Sequence, residues 1–277
     1  MRRQYSSTVV ADTATSLRRG VAVLQSLHSE EALSAGGLGV LRIAELLDCD
    51  KSQVSRTLKT LAEYGLVDRD AETRAYRLGW AVFALAARAG DTRLLAAGDP
   101  VVRDLSAALG ERVHLTVLQG STVLTVLSES PQHAIQATGW VGLAVPAYCS
   151  SSGRALLLDR TREEVRDLFA GVDFVALGPN APRDADDLYA RICDARARAY
   201  AVADEEFEPG LVAVAAPVRD FRGSIVAALN VSAPKFRLAA RLEDAGEAVA
   251  ESARRLSGLL GFTSDHPLST LEADQRP

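Results

Sequence analysis

Hydrophobic residues recur at helical spacing over two consecutive segments in the N-terminal third of the chain, and a short polar stretch separates them. The first segment covers 40–47, the polar stretch covers 48–50 and the second segment covers 51–64. Asp50 stands just before the second segment, and Gln53 follows it at the spacing of a capping box. The pattern therefore predicts two short helices joined by a tight turn, which is a helix-turn-helix.

The second of these helices has an apolar stripe and a polar face on a helical wheel. Val54, Leu58 and Leu61 form the stripe and are expected to pack inward. The polar positions carry donors of the kind that reach phosphates and base edges in a major groove. They are Lys51, Ser52, Gln53, Ser55, Arg56, Lys59 and Thr60. An ordinary amphipathic helix with a solvated face has the same pattern, so this helix alone does not decide between the two interpretations.

The segment after this helix favours DNA binding. Gly65 is placed to end the helix in the left-handed conformation. Two short strands are predicted over 66–70 and 74–78, around a turn at 71–73. The resulting wing carries Arg69, Arg74 and Arg77. Helix, turn, helix and basic wing in this order predict a winged helix-turn-helix.

The chain before this module is interpreted as an arm, a helix and a loop. Residues 1–15 are polar and patternless, and a disordered arm is expected, with its first two arginines either on phosphate or in solution. Ser16 is placed to cap a helix over 17–28, and 29–39 contains three glycines and predicts a loop. The face expected to be buried consists of Leu17, Val21, Leu24 and Leu27.

An Ala- and Leu-rich segment over 79–98 follows the wing and predicts a linker helix. It is too apolar to stand free in water, so it packs either on a second protomer or within the monomer. The dimer contact is favoured because helix-turn-helix proteins usually bind two half-sites as dimers. Asp99 and Pro100 then predict the cap and first residue of a helix that ends at Gly110.

From residue 113 the hydrophobic period changes to that of strands. A hairpin is predicted over 113–127 around Gly120-Ser121, with further strands at 134–138, 200–204, 211–218 and 224–232. Helices are predicted at 152–159, 162–170, 184–198 and 238–260. The expected fold class is α+β, with a mostly antiparallel sheet. The predicted domains are a winged helix-turn-helix at 16–78, the linker helix at 79–98, a sensor-like domain at 99–262 and a disordered tail at 263–277.

Composition narrows the class of protein. A chain of 277 residues is long enough for two domains. Its net charge of −5 argues against a generally basic protein that binds nucleic acid without specificity. Residues 1–78 carry a charge of +1 and the remainder −6, so only the N-terminal module is expected to contact DNA. Three widely spaced cysteines suggest neither a disulfide framework nor a metal site. No membrane span or signal peptide is recognised, so a cytoplasmic location is expected.

Three groups of polar residues in the second half are candidates for a ligand site. Ser150, Ser151 and Ser152 precede a predicted helix, whose first N–H groups bind carboxylates, although plain capping needs only one serine. The acids of 204–210 accept hydrogen bonds from a ligand or lie in a solvated turn. Asn230 and Ser232 share a face of an apolar strand, so they need a ligand, a buried water or a backbone partner.

The sequence argues against an enzyme. Cys149 and the three serines are possible nucleophiles, and His114 and His133 are possible bases. However, no nucleophile elbow surrounds the serines, no acid pairs with either histidine, and no Walker or Rossmann glycine pattern is present. No catalytic residue, metal or cofactor is predicted.

Several of these segments, in this order, resemble the IclR family of bacterial transcription regulators over about residues 16–260. The matching sequences are IAELL at 43–47, KSQVSRTL at 51–58, YRLG at 76–79, SGRALL at 152–157, DEE at 204–206 and AAPV at 215–218. PAYC at 146–149 and LNVS at 229–232 are similar to the branch that regulates protocatechuate and p-hydroxybenzoate catabolism. The resemblance implies a winged-helix domain, a linker helix, a GAF-like effector-binding domain, and dimers that often pair into tetramers.

Carried over by position, the resemblance also implies a set of effector contacts. They are Ser151, Ser152, Ala203, Asp204, Ala213, Asn230 and Ser232, to which the serine run adds Ser150, with Tyr148 at the pocket edge. Ala213 stands where many relatives have cysteine, Asn230 where many have serine and Tyr148 where many have histidine. These departures leave the identity of the effector open, although an aromatic carboxylate suits a pocket with Tyr148 at its edge. The wing tip at 73–75 also lacks the glycine that is common there.

The sequence thus predicts an effector-responsive, DNA-binding transcription regulator, and favours a repressor of a catabolic operon. The residues expected to bind DNA include Lys51 and, in the major groove, Ser52, Gln53, Ser55, Arg56 and Lys59. Arg69 and Arg74 are expected to reach the flanking backbone or minor groove. The expected partners are double-stranded operator DNA, a small organic acid and further copies of the chain, as a homodimer and a dimer of dimers. The alternatives are an activator of the same fold, and a ligand-binding or enzymatic protein with a non-functional DNA module.

Overall fold

The computed structural model describes residues 8–86, 92–131 and 140–263, and the chain divides into two compact units, 1–92 and 93–277. The strand predicted over 134–138 and nearly all of the tail predicted over 263–277 lie outside the described residues. None of the helices in the described ranges is long and apolar enough to cross a membrane.

The first unit is a winged helix-turn-helix. Its elements are α1 Thr8–Leu27, α2 Glu30–Ala35, α3 Val40–Leu46, α4 Lys51–Glu63, β1 Val67–Arg69, β2 Tyr76–Leu78 and α5 Trp80–Ala86. Asp50 caps α4 as predicted, because its carboxylate accepts a hydrogen bond of 2.7 Å from the Ser52 N–H. Val54 and Leu58 of α4 are fully buried in a core that also contains Val23 and Ile43. The two helices of the helix-turn-helix are therefore confirmed.

Two predictions for the first unit are wrong, and a third is correct only in part. α1 begins at Thr8, so the second half of the predicted arm is helical. The predicted loop at 29–39 contains α2, because the Ser29 side chain caps it and Gly36 ends it at φ +71°. The predicted buried face of α1 is correct for Leu27, which is buried, and for Leu24, which packs against the core, but Leu17 is 70% and Val21 47% exposed because the core takes the side of Val23.

The wing is a tight antiparallel hairpin in which Val67 pairs with Leu78 and Arg69 pairs with Tyr76. The Asp70 carboxylate organises its tip by accepting hydrogen bonds from the N–H groups of Glu72 and Thr73 and from the Thr73 hydroxyl. Arg74 adopts a φ of +58°, the left-handed conformation that glycine occupies most easily. The tip therefore takes a glycine-like backbone without glycine.

The second unit is α+β, as predicted. Its elements are α6 Thr92–Leu109, β3 Arg112–Gln119, β4 Thr122–Glu129, β5 Ala144–Pro146, α7 Ser151–Leu156, α8 Arg162–Leu168, α9 Ala185–Arg198, β6 Ala201–Asp204, β7 Leu211–Arg219, β8 Ile225–Pro234, α10 Lys235–Leu238, a 3-10 turn at Ala239–Arg241 and α11 Leu242–Leu259. The strands form one antiparallel sheet in the order β5-β4-β3-β8-β7-β6. One face packs on α6 and α11, and the other packs on α7, α8 and α9.

Two helix boundaries in the second unit differ from the prediction. Asp99 and Pro100 do not start a helix, because Pro100 lies inside α6. The buried side of α6 continues across the proline from Leu94 to Leu105, and this packing outweighs the hydrogen bond that proline cannot make. The closing helix begins at Leu242 rather than Leu238, since α10 and the 3-10 turn occupy 235–241.

Candidate functional site

The exposed face of α4 is the candidate DNA-binding surface. Lys51, Ser52, Ser55, Arg56, Lys59 and Thr60 are exposed on it, and Gln53 is half-buried. The opposite side is fixed by Val54 and Leu58, so the polar face cannot turn inward without opening the core. The structure therefore presents the polar side chains of this helix together, as the wheel predicts.

Some polar side chains of α3 and α4 already form hydrogen bonds or ion pairs within the first unit. Thr57 and Thr60 donate to the carbonyl oxygens of Gln53 and Arg56 in the preceding turn, at 3.0 and 3.2 Å. The Arg42 guanidinium on α3 is held by Glu31, with an Nε–Oε1 distance of 2.6 Å, and by Glu45.

The wing adds cations beside this face. The Arg69 guanidinium lies over the Tyr76 ring, 5.4 Å from its centroid, and Arg74 and Arg77 are exposed. Stacking on a ring holds the long Arg69 side chain in one direction, which lowers the entropy that it loses on contact with phosphate.

The second unit contains a cavity between α7 and the sheet. Seven of the nine predicted effector contacts line it: Ser150, Ser151, Ser152, Ala203, Ala213, Asn230 and Ser232. The structure adds nine further lining residues: Thr116, Val123, Thr125, Trp140, Val145, Cys149, Glu206, Phe207 and Leu211. The cavity thus has a polar floor and largely apolar walls, as small-molecule sites do.

Strand alternation produces the polar floor. Thr116 on β3 pairs with Thr125 on β4, and Ser232 on β8 pairs with Ala213 on β7, so all four point to the same face of the sheet. Asn230 donates from Nδ2 to the Ser151 hydroxyl at 2.8 Å and to the Val214 carbonyl at 3.3 Å. Asn230 therefore connects the floor to α7.

The start of α7 lies against this floor. The Ser150 hydroxyl caps the helix by accepting a hydrogen bond from the Gly153 N–H at 3.0 Å. Capping therefore accounts for one of the three serines. A Cβ at Gly153 would stand 2.0 Å from the Ala147 carbonyl oxygen, so only glycine lets the turn approach the helix this closely. Ser151 and Ser152 line the cavity, and the Ser151 hydroxyl accepts the hydrogen bond from Asn230.

Two predicted contacts lie away from the cavity lining. The Tyr148 ring packs on Phe174, with centroids 4.6 Å apart, and its hydroxyl donates to the Val175 carbonyl at 2.9 Å. Asp204 pairs with Lys235, with Oδ1 2.8 Å from Nζ. Alternation on β6 explains this, because Ala203 faces the cavity and the next side chain must face the other way.

Glu206 is a cavity residue that was predicted only as part of an acidic turn. Its carboxylate is buried between two arginines, with Arg154 on one oxygen and Arg191 Nη1 3.1 Å from the other. A buried carboxylate that is paired on both oxygens contributes no free negative charge to the cavity. Cys149 lies nearby, and burial raises the pKa of its thiol to about 12, so it is a protonated, unreactive side chain at neutral pH.

The comparisons with known proteins find matches to both units of the chain. The C-terminal model of the bacterial transcriptional regulator IclR matches residues 87–258, and a model described as HVO_A0114 matches residues 17–80. The chain is 30% identical over 251 residues to the transcriptional repressor AllR of Klebsiella pneumoniae, which covers 90% of this chain and 91% of that protein. It is 32% identical over 223 residues to the Pca regulon regulatory protein of Pseudomonas putida, which covers 80% and 75%.

A solved structure shares the fold over nearly the whole chain. It is an IclR homologue from Microbacterium hydrocarbonoxydans, crystallised with 4-hydroxybenzoate. The TM-score is 0.76 at 24% identity, and the match covers 88% of this chain and 98% of that one.

Proposed function

We propose, from the premise that this chain belongs to the IclR family of bacterial transcription regulators, that it represses a catabolic operon and is controlled by a small organic acid. The observation that carries the proposal is the pairing of two sites in one chain. One unit exposes a polar recognition helix and a basic wing, and the other encloses a cavity with a polar floor.

The proposed DNA contacts follow from exposure and from partners. Ser52, Ser55, Arg56 and Lys59 are exposed on α4 and enter the major groove, with Lys51 and Gln53 at its edge. Arg69 and Arg74 of the wing contact the flanking backbone or minor groove.

The proposed assembly is a homodimer that pairs into a tetramer. The α5 helix exposes Trp80, Phe83 and Leu85, whose relative exposures are 78%, 66% and 65%. Apolar side chains grouped in this way on one short helix are expected to be covered by a partner. A second protomer covering α5 would also supply the second recognition helix that a two-part operator requires.

The proposed effector is an aromatic carboxylate. Trp140, Phe207 and Val123 offer apolar walls to a ring, and the serines at the start of α7 offer hydroxyl and N–H donors to a carboxylate. The 4-hydroxybenzoate held by the Microbacterium homologue supports this class of ligand. Effector binding changes DNA affinity by the ratio of the effector's affinities for the two arrangements of the protein.

A mobility-shift titration tests the proposal with DNA from upstream of the protein's own gene, at fixed salt, with and without a panel of benzoates. Specific binding that one of these acids weakens is the expected result. Specific binding that no benzoate changes would contradict the effector class but leave the regulator intact. Absence of specific DNA binding would contradict the proposal that the protein is a repressor.

A further inference from the structure

The turn between β6 and β7 forms one wall of the cavity. Phe207 in the turn and Leu211 just after it line the cavity, whereas residues 208–210 between them are exposed. The turn therefore has the cavity on one side and solvent on the other.

The burial of the lining residues indicates that this turn lies at the rim of the cavity. Ser151, Ser152 and Asn230, where α7 meets the floor, are all buried. Phe207 and Leu211 are only half-buried. The cavity is thus closed at the end where the serines lie, and a ligand that enters past the turn would reach them.

A single carboxylate connects the two ends of the turn. Glu205 Oε1 accepts a hydrogen bond of 2.9 Å from the Gly210 N–H. Its other oxygen, Oε2, lies 2.6 Å from the ammonium nitrogen of Lys235, the first residue of α10. The Lys235 N–H also donates to the Gly210 carbonyl oxygen at 2.7 Å. Lys235 therefore holds the start of the turn through its side chain and the end of the turn through its backbone.

The base of the turn is fixed more firmly than its tip. The carbonyl oxygens of Glu205 and Glu206 accept hydrogen bonds from the N–H groups of Asn180 and Gly178, at 3.1 and 3.0 Å. The Glu206 carboxylate is also buried between two arginines. Exposed backbone with little packing opens at a lower free-energy cost than such a base. Movement that admits a ligand is therefore expected in residues 207–210.

The contacts of Lys235 are of a strength that suits repeated opening. Its ammonium nitrogen also lies 2.8 Å from Asp204 Oδ1, and its side chain is 38% exposed. Ion pairs that are open to solvent contribute modestly to stability. They can therefore break and reform in each binding event while the core of the unit stays folded.

We propose that residues 207–210 form the gate of the cavity, and that Lys235 is the latch that keeps this gate closed through Asp204 and Glu205. The inference rests on the proposed function, because it assumes that the cavity binds the effector. It goes further by assigning the rate of effector exchange to a residue that does not line the cavity.

The test measures how fast 4-hydroxybenzoate binds to the full-length protein and leaves it. Stopped-flow tryptophan fluorescence reports both rates, because Trp140 lines the cavity. Lys235→Met removes the ammonium group but keeps an unbranched side chain and the backbone N–H. We expect K235M to raise the association and dissociation rate constants together, by about threefold to tenfold, since the gate opens for entry and for exit. The Kd should change little, and Lys235→Arg, which keeps the charge, should retain slow exchange.

Arg237→Met is the matched control. Arg237 lies in the same short helix but pairs with Glu111, with Nη2 2.7 Å from Oε2, and not with the turn. It should leave both rate constants unchanged. A K235M variant with wild-type rates would overturn the gate and leave the effector site intact. A change in the dissociation rate alone would also overturn it, because Lys235 would then stabilise only the bound state.

A second variant keeps the test decisive if K235M does not fold. Glu205→Gln removes the ion pair but keeps an amide oxygen for the Gly210 N–H, so it should accelerate exchange in the same way. Urea unfolding of each variant reports whether it has folded. Wild-type protein that binds neither benzoate nor 4-hydroxybenzoate would instead overturn the aromatic effector class, and the gate with it.

Discussion

At the scale of single residues, Arg56 is the sharpest test of the DNA-binding surface. It is exposed in the middle of α4, whereas Arg42 on α3 is equally charged but paired with Glu31 and Glu45. Arg56→Ala should weaken operator binding by about 1–3 kcal/mol if the side chain contacts a base. Arg42→Ala removes the same charge and should have a much smaller effect. Equal losses in a mobility-shift titration would show that only net charge matters.

Gly153 tests the close approach that places the serines at the cavity. Gly153→Ala would put a Cβ 2.0 Å from the Ala147 carbonyl oxygen, so the turn or the helix must move. Overpacking of this kind costs about 1–3 kcal/mol, and urea unfolding should show it together with weaker effector binding. Gly258→Ala, in α11 with open space around it, should instead stabilise by about 0.5–1 kcal/mol. A silent G153A variant would contradict the packing.

The residue scale also shows what the sequence could and could not predict about the site. Asn230 and Ser232 alternate within an apolar strand, which marks them as polar side chains on a buried face, and Thr116 on β3 has the same pattern. Position along the chain predicts Tyr148 at the cavity edge, but its ring packs on Phe174. Side-chain direction at the start of a short helix depends on packing partners that are far away in sequence.

At the scale of elements, Arg74 of the wing has an unfavourable backbone conformation and a positive charge that is proposed to contact DNA. Arg74 has a φ of +58°, which costs a non-glycine residue about 1–2 kcal/mol. Arg74→Gly should therefore raise the unfolding temperature and at the same time weaken operator binding. Arg77→Ala removes a neighbouring charge in regular β2 and should weaken binding without stabilising. An Arg74→Gly variant that gains no stability would contradict the strain.

Most helices and strands are predictable from the sequence because their hydrophobic residues recur at helical or strand spacing and turn residues mark their ends. These signals fail where packing overrides a local rule. Asp99 and Pro100 have the chemistry of a helix start, yet α6 continues through them because its buried side does. The loop predicted from three glycines holds α2, since Gly36 ends that helix rather than preventing it. These helix boundaries depend on which side chains are buried, and burial depends on packing partners that are distant in sequence.

At the scale of the whole molecule, we expect both dimer formation and operator binding to depend on the exposed apolar side chains of α5. Replacing Phe83 of α5 by serine removes an exposed apolar side chain that contributes little to the fold of a single protomer. If α5 pairs protomers, Phe83→Ser should shift sedimentation at micromolar protein from dimers toward monomers. It should also weaken operator binding by more than about tenfold, because a monomer reads only one half-site.

Phe221→Ser is the matched control for this prediction, because Phe221 is exposed to a similar degree in the second unit and lies in the turn between β7 and β8. It should leave both dimers and operator binding unchanged. Effector binding should be normal in both variants, since the cavity is formed within the second unit. Phe83→Ser protein that remains dimeric would exclude α5 as the contact, and the apolar side chains of α1, Leu17 and Val21, would then be the surface to test.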